Sequence, residues 1–275
     1  MKIFTLVEDN QKDINLESEH GVSFYIETNK HKLLFDVGQT ELFLSNAKKL
    51  GINLTDVDTV VISHGHYDHG GGLEHFLKIN NHAKIYIQKS AFDEFFSMRK
   101  NDEYTYIGLN KDLNQSRFIL LEGDLIIDEE LIILNKIEED NYFPTSNQTL
   151  YKKVNNKMML DDFNHEQNLL INYNHKHFLF AGCAHKGIVN IINQAKNKIH
   201  NKNLHMVLGG FHLKSRYEQF EESEENIKKI ANQLDNKKIN KYYTGHCTGN
   251  KAFTIMKEIL KDKLFSFYPG LKIEI

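Results

Sequence analysis

Residues 56–73 read DVDTVVISHGHYDHGGGL. The first part, 57–62, is rich in β-branched side chains and, Asp58 and Thr59 apart, apolar, the composition of a buried strand. Directly behind it stand His64, His66, Asp68 and His69, followed by Gly70, Gly71 and Gly72. A core has little use for four such side chains at one strand end, whereas a cation does. On an extended backbone positions i and i+2 point the same way, so His64 and His66 are expected to grip one ion. Asp68 and His69 then serve the same ion or a second beside it. Imidazole and carboxylate together are the donor set of zinc, with iron or manganese as alternatives. The glycines allow backbone angles that a Cβ forbids and leave room for a ligand.

Outward from this stretch the pattern alternates. Strands are expected over 3–7, 22–27 and 32–36, then a helix over 41–50 capped by Thr40 and stopped at Gly51. Beyond the loop come a short helix at 73–78 and a strand at 84–88. Residues 90–162 are less regular, with strand-like pieces at 118–121, 125–127 and 131–134. The polar run Pro144-Thr145-Ser146-Asn147 suggests a lid or insert within that segment. Further on, 168–173 and 177–181 read as paired strands, 188–199 as a helix and 204–208 as a strand. An amphipathic helix is expected over 218–234, with Phe220, Ile227, Ile230, Ala231 and Leu234 facing inward. A strand at 241–244, a helix at 252–261 and a last strand at 272–275 follow. Alternating strands and helices mean an α/β protein, and no linker divides residues 1–275 into independent domains.

Composition narrows the classes. The chain has 275 residues, 40% of them hydrophobic, enough for a large core. A formal net charge of −3 without a basic block gives nucleic acid no footprint. Two cysteines, Cys183 and Cys247, make no disulfide framework. No apolar run has the length of a signal core or a membrane span, so the expectation is a cytoplasmic protein whose partner is a small molecule. The sequence leaves the oligomeric state open.

The form HxHxDH, here HGHYDH, resembles the signature of the metallo-β-lactamase-fold superfamily. LLFDVGQT, DDFNHEQNLLI, GCAHKGIVNII, GGFHL and YTGHCTG, which begin at 33, 161, 182, 209 and 243, narrow the likeness. Together they resemble the branch named after an archaeal dihydropterin–ribofuranosylaminobenzene phosphate synthase. The resemblance implies an αββα sandwich of four layers, with one or two divalent ions at its edge. It implies that Asp36 lies under the metal site and orients it. It also implies that His246 completes the metal shared with Asp68 and His69.

His185, His212 and His246 share one context, a strand followed by a glycine-containing loop, and strand ends in layered α/β folds converge on a common edge. Two residues compete as third ligand of the ion held by His64 and His66. His185 is preferred, being set by a glycine-bounded turn at a strand end; His165 then supports the ligands or meets the substrate. Cys183 departs from the resemblance, standing where an aspartate usually bridges two metals. A lone thiolate ligates tightly but bridges less readily, which bears on whether two ions bind. Cys247 reads as structural.

These groups imply metal-assisted activation of water, with Asp68 holding or deprotonating the water and His212 donating to the developing charge. Lys186, Lys214 and Arg216 are candidate clamps for a phosphate or carboxylate. The first reading is therefore a hydrolase of a small anionic ester or phosphoester. Following the named relatives, the second is a transferase joining a dihydropterin diphosphate to an aminobenzene riboside phosphate. A third is a metal- or ligand-binding sensor without turnover.

Overall fold

A computed structural model describes residues 1–100, 103–137, 141–215 and 217–275. In chain order the strands of the first half are β1 (Lys2–Val7), β2 (Ser23–Glu27), β3 (Lys32–Phe35), β4 (Thr59–Val61), β5 (Lys84–Gln88), β6 (Phe95–Met98), β7 (Tyr104–Tyr106), β8 (Phe118–Leu121) and β9 (Leu125–Ile126). They continue with β10 (Leu131–Leu134), β11 (Leu150–Val154), β12 (Lys157–Leu160), β13 (Asn168–Tyr173), β14 (Lys176–Phe180), β15 (Leu204–Leu208), β16 (Lys241–Thr244), β17 (Leu264–Ser266) and β18 (Lys272–Glu274). The helices are α1 (Leu42–Lys49), α2 (Tyr67–Gly70), α3 (Leu73–Ile79), α4 (Ile188–Lys198), α5 (Glu224–Asn236) and α6 (Asn250–Leu260).

Two seven-stranded sheets carry the fold, in the orders β18-β1-β2-β3-β4-β5-β8 and β17-β16-β15-β14-β13-β10-β9. Their facing sides bury Phe24, Phe35, Val61, Leu169, Phe178 and Phe180 in one layer. On the outer face of the first sheet, Phe43 and Ala47 of α1 and Phe76 of α3 pack on Leu34, Val60 and Ile85. On the second, Ile191, Ile230 and Met256 of α4, α5 and α6 pack on Leu170, Leu179 and Val207. The result is an α/β protein in four layers, αββα. It explains why the centres of β13 and β14, residues 169–171 and 178–180, are apolar without alternation: Leu169 faces one core and Leu170 the other, so neither face is left polar there. Each fully buried large side chain contributes roughly 1.5–3 kcal/mol.

Strand direction decides where chemistry is placed. β3, β4, β5 and β8 run parallel, as do β14, β15, β16 and β17. The loops leaving β3, β4, β14, β15 and β16 therefore emerge along one edge, the place where open α/β sheets bind ligands. Among the described residues, no helix is long and apolar enough to cross a membrane.

Three expectations change. The irregular segment 90–162 contributes a third sheet of its own, β12-β11-β6-β7. The helix expected from 218 begins at Glu224, because the Ser223 side chain accepts from the Asn226 N–H at 3.2 Å and caps it there. Residues Glu218–Phe220 form a separate 3₁₀ turn, which takes Phe220 off the helix. Strand β17 lacks any counterpart in the sequence reading.

One ionic clamp joins the two large sheets away from the site. His31 lies just before β3, with Nδ1 2.8 Å from Asp58 Oδ1 and Nε2 2.7 Å from Asp128 Oδ2. Burial lowers its pKa, but the two carboxylates overrule that and hold it above the usual imidazole value. A raised folded-state pKa contributes stability in full below the unfolded value of about 6.5, and that stability fades as pH rises through the folded one. The difference in unfolding free energy between wild type and His31→Gln should therefore shrink from pH 6 upward. A difference that stays constant or grows would refute the clamp.

Candidate metal centre

The loop after β4 changes backbone type midway. His66 is still extended at φ −91, ψ 144, while Tyr67–Gly70 form the one-turn helix α2. His64 and His66 thus leave from extended chain, and Asp68 and His69 from helix. Asp36 fixes the start of the loop: Oδ1 accepts from the Ser63 N–H at 2.6 Å and Oδ2 from the Ser63 hydroxyl at 2.7 Å. Oδ2 also lies 2.7 Å from His69 Nδ1. Gly182 lets the second sheet approach, since a Cβ there would overlap the Ser63 side chain.

In the first donor cluster the hydroxyl of Ser63, having donated to Asp36, accepts from His64 Nδ1 at 2.8 Å. This leaves the lone pair on His64 Nε2, which faces His185 Nε2 at 3.3 Å. His185 Nδ1 is turned to Asn147 Oδ1 at 3.1 Å, so its Nε2 also presents a lone pair. The third ring, His66, lies with its centroid 4.6 Å from that of His64 and 5.0 Å from that of His185. Its Nε2 is buried without a hydrogen-bond partner. Burial, reinforced by the neighbouring imidazoles, pushes His64 and His185 well below the usual range. Burial and His165 take His66 down to about 3. The His64 and His185 rings are neutral donors facing one another, with Cys183 Sγ close to both, while the donor atoms of His66 group with those of Asp161 and His165.

His165 stands behind this cluster. Its Nδ1 accepts from the Gly65 N–H at 2.9 Å, and its Nε2 lies 3.0 Å from Asp161 Oδ2. Both nitrogens are thereby occupied in holding the loop. Its neighbours in DDFNHEQN serve the site too. Phe163 stacks on His185 at 4.4 Å, Glu166 accepts the N–H groups of His185 and Lys186, and Gln167 Nε2 donates to the Ile62 carbonyl at 2.8 Å.

In the second cluster Asp68 Oδ2 lies 3.5 Å from His69 Nε2 and 3.3 Å from His246 Nε2. His69 gives its Nδ1 hydrogen to Asp36, and His246 gives its own to Asp9 Oδ1 at 2.6 Å. Backing by a carboxylate fixes the tautomer and raises the basicity of the other nitrogen. Burial lowers both pKa values. Asp36 and Asp68 overrule it at His69, and Cys247, Asp68 and Asp9 overrule it at His246. Asp9 and His20 escaped the sequence reading, for they belong to no motif. His20 is half-exposed, with Nδ1 3.0 Å from Asp9 Oδ2 and Nε2 3.4 Å from Asp68 Oδ2. Glu8, fully buried, accepts the His246 N–H at 2.7 Å.

Cys183 Sγ is common to both clusters. It lies within 4.8 Å of donor atoms of His64 and His185, and likewise of His69 and His246. The fit to divalent cations rests on these observations: facing lone pairs, an orphaned buried nitrogen, and nitrogen, oxygen and sulfur donors of the kind zinc takes. The centre opens into a cavity of about 560 Å³ whose lining includes Ser97, Arg99, Ser146, His212 and Lys214. Lys186 does not reach it; its Nζ lies 3.3 Å from Asn164 Oδ1. Arg216 lies outside the described residues. Cys247, read as structural from sequence, instead lines the cavity.

Comparison with known proteins agrees with this architecture. Residues 18–136 match the family described as the Metallo-beta-lactamase superfamily. The chain is 30% identical to the 7,8-dihydropterin-6-methyl-4-(beta-D-ribofuranosyl)-aminobenzene-5'-phosphate synthase of Methanocaldococcus jannaschii, over 98% of its own length and 95% of the relative's. It is 28% identical to an uncharacterized protein of the same archaeon, covering 92% of this chain and 93% of that one. Among solved structures, one described as a metal-dependent hydrolase of the beta-lactamase superfamily superposes with a TM-score of 0.83 at 30% identity, covering 100% and 99% of the two chains. With its two sheets, its HGHYDH loop and relatives that match end to end, this chain belongs to the metallo-β-lactamase superfamily.

Proposed function

We propose that the protein is a metal-dependent hydrolase of a small anionic ester or phosphoester. The observation that carries this reading is the pair of donor sets, joined by Cys183, on the floor of a cavity with cationic walls. His64, His66 and His185 would hold one ion, and Asp68, His69 and His246 the other, with zinc the first candidate and iron or manganese next. Divalent ions held there would supply Lewis acidity, lowering the pKa of a bound water to roughly 7. Asp68 would contribute Oδ2, the oxygen facing His69 and His246, to the ion it shares with them, and use Oδ1 to orient the attacking water and accept its proton. His212, whose ring centroid is 4.1 Å from that of His185, donates a proton to the leaving oxygen. Arg99 and Lys214 have no carboxylate partner among the described residues, which favours an anionic substrate group between them. The third sheet, which brings Ser97 and Arg99 to the cavity, acts as its cover.

A transferase is the second reading, favoured by the name of the archaeal synthase. It uses the same cations to stabilise departing diphosphate, with an aromatic amine in place of water. Relatives at equal identity carry the two descriptions, so a direct assay decides. Metal-loaded protein is expected to cleave bis(p-nitrophenyl) phosphate, and to release diphosphate from a dihydropterin diphosphate without an acceptor. Release that requires the aminobenzene riboside phosphate would establish the transferase instead.

Asp9 gives a sharper test of the second donor set. Asp9→Asn keeps the size of the side chain but removes the charge that faces His246 Nδ1 and His20 Nδ1. Affinity for the weaker of two bound ions should fall about 10–100-fold. Unchanged affinity in a metal titration would show that His246 needs no such support.

A further inference from the structure

Cys247 belongs to neither donor set, and its place in the fold is still specific. Cys183, His212 and Cys247 follow β14, β15 and β16, three adjacent parallel strands, and so end side by side. The two sulfurs and a ring nitrogen of His212 lie within 4.8 Å of one another. The backbone is shaped around them. Gly210 has no Cβ where one would overlap Cys247 Sγ, and the His212 N–H donates to that sulfur at 3.3 Å.

A second observation points to a ligand. His212 holds a left-handed backbone at φ 49, and its Nδ1 is shielded from solvent without a hydrogen-bond partner. A buried polar atom left without a partner costs about 1–3 kcal/mol. Packing alone would put an apolar side chain there. Two sulfurs and one imidazole are instead the donors of a soft ion, unlike the nitrogen- and oxygen-rich sets beside them.

We propose that Cys183, His212 and Cys247 form a third cation position, selective for thiophilic ions such as zinc, cadmium or copper(I). Because it borrows Cys183 from between the two donor sets and takes His212 from the leaving group, filling it shuts the site. The binding claim stands on the cluster itself; only the shutdown rests on the hydrolase reading.

Cadmium content is the measurement, made on fully reduced, desalted protein after equilibration with cadmium. Wild type should retain one more equivalent than Cys247→Ser and than His212→Asn, and the ultraviolet sulfur-to-cadmium band should fall by about half in Cys247→Ser. Equal content in folded wild type and variants overturns the proposal while leaving the hydrolase assay untouched. If Cys247→Ser does not fold, His212→Asn, which keeps both thiols, decides alone: loss of one equivalent supports the third position and no loss overturns it. In the activity arm, excess cadmium should inhibit wild type at least tenfold more strongly than Cys247→Ser. Equal inhibition would overturn the shutdown.

Discussion

Alanine at both Asp68 and His69 should strip the second donor set of its ion and slow phosphodiester cleavage by about 10³-fold or more, roughly 4 kcal/mol in the barrier. Asp68 Oδ2 is the atom on which His20, His69 and His246 converge, at 3.3 to 3.5 Å. Its carboxyl sits well below the usual range because His69, His246 and His20 outweigh the burial that would raise it. Without Asp68 and His69 that set keeps one imidazole, and the proposed proton acceptor is gone. Elemental analysis beside a rate measurement checks the prediction. Equal metal content in wild type and variant, both loaded with the same ions, would sink the two-ion reading.

Asp36→Ala should be the most damaging single change to stability, about 4 kcal/mol. It leaves the Ser63 amide, the Ser63 hydroxyl and His69 Nδ1 without their acceptor, all in buried surroundings. Each orphaned group costs about 1–3 kcal/mol, partly relieved by rearrangement. Asp36 is also left-handed, at φ 59, a conformation that costs alanine roughly 1–2 kcal/mol. For a chain of this size a loss of 4 kcal/mol lowers Tm by roughly 8–16 °C. Asp36→Asn, which tolerates the left-handed angle and still offers one acceptor, should cost less than half as much. Chemical denaturation showing less than 1 kcal/mol for the alanine variant would mean that solvent reaches these groups.

How much of this the sequence discloses depends on whether a donor set is contiguous. HGHYDH is legible because one loop carries four side chains, and the strand before it is apolar on both faces. Asp9 and His20 are not, since they come from the stretch between β1 and β2 and meet His246 across more than two hundred residues. The acid pair Glu8-Asp9 directly after a buried strand is the one signal that could have raised them. Between His165 and His185 sequence offers position alone; the structure shows both nitrogens of His165 engaged and Nε2 of His185 turned toward His64. The third sheet is hidden for another reason. Tyr104–Tyr106 is exposed throughout and Lys157–Leu160 nearly so, so the alternation that marks a half-buried strand is missing. The true start of α5 was legible in Ser223 with Asn226 three residues on, a cap that the amphipathic stripe upstream obscured.

Each donor set draws on both large sheets: His64 and His66 face His185, and Asp68 and His69 face His246. An ion held this way is a tie across 121 residues of chain between His64 and His185. It binds the docked pair of sheets and has no comparable site in either alone. At a free concentration a thousand times its Kd, such an ion adds about 4 kcal/mol to the stability of the joined form. Loading would thus favour the assembled form: a chain whose second sheet has not yet docked offers each ion only the two donors that the HGHYDH loop supplies.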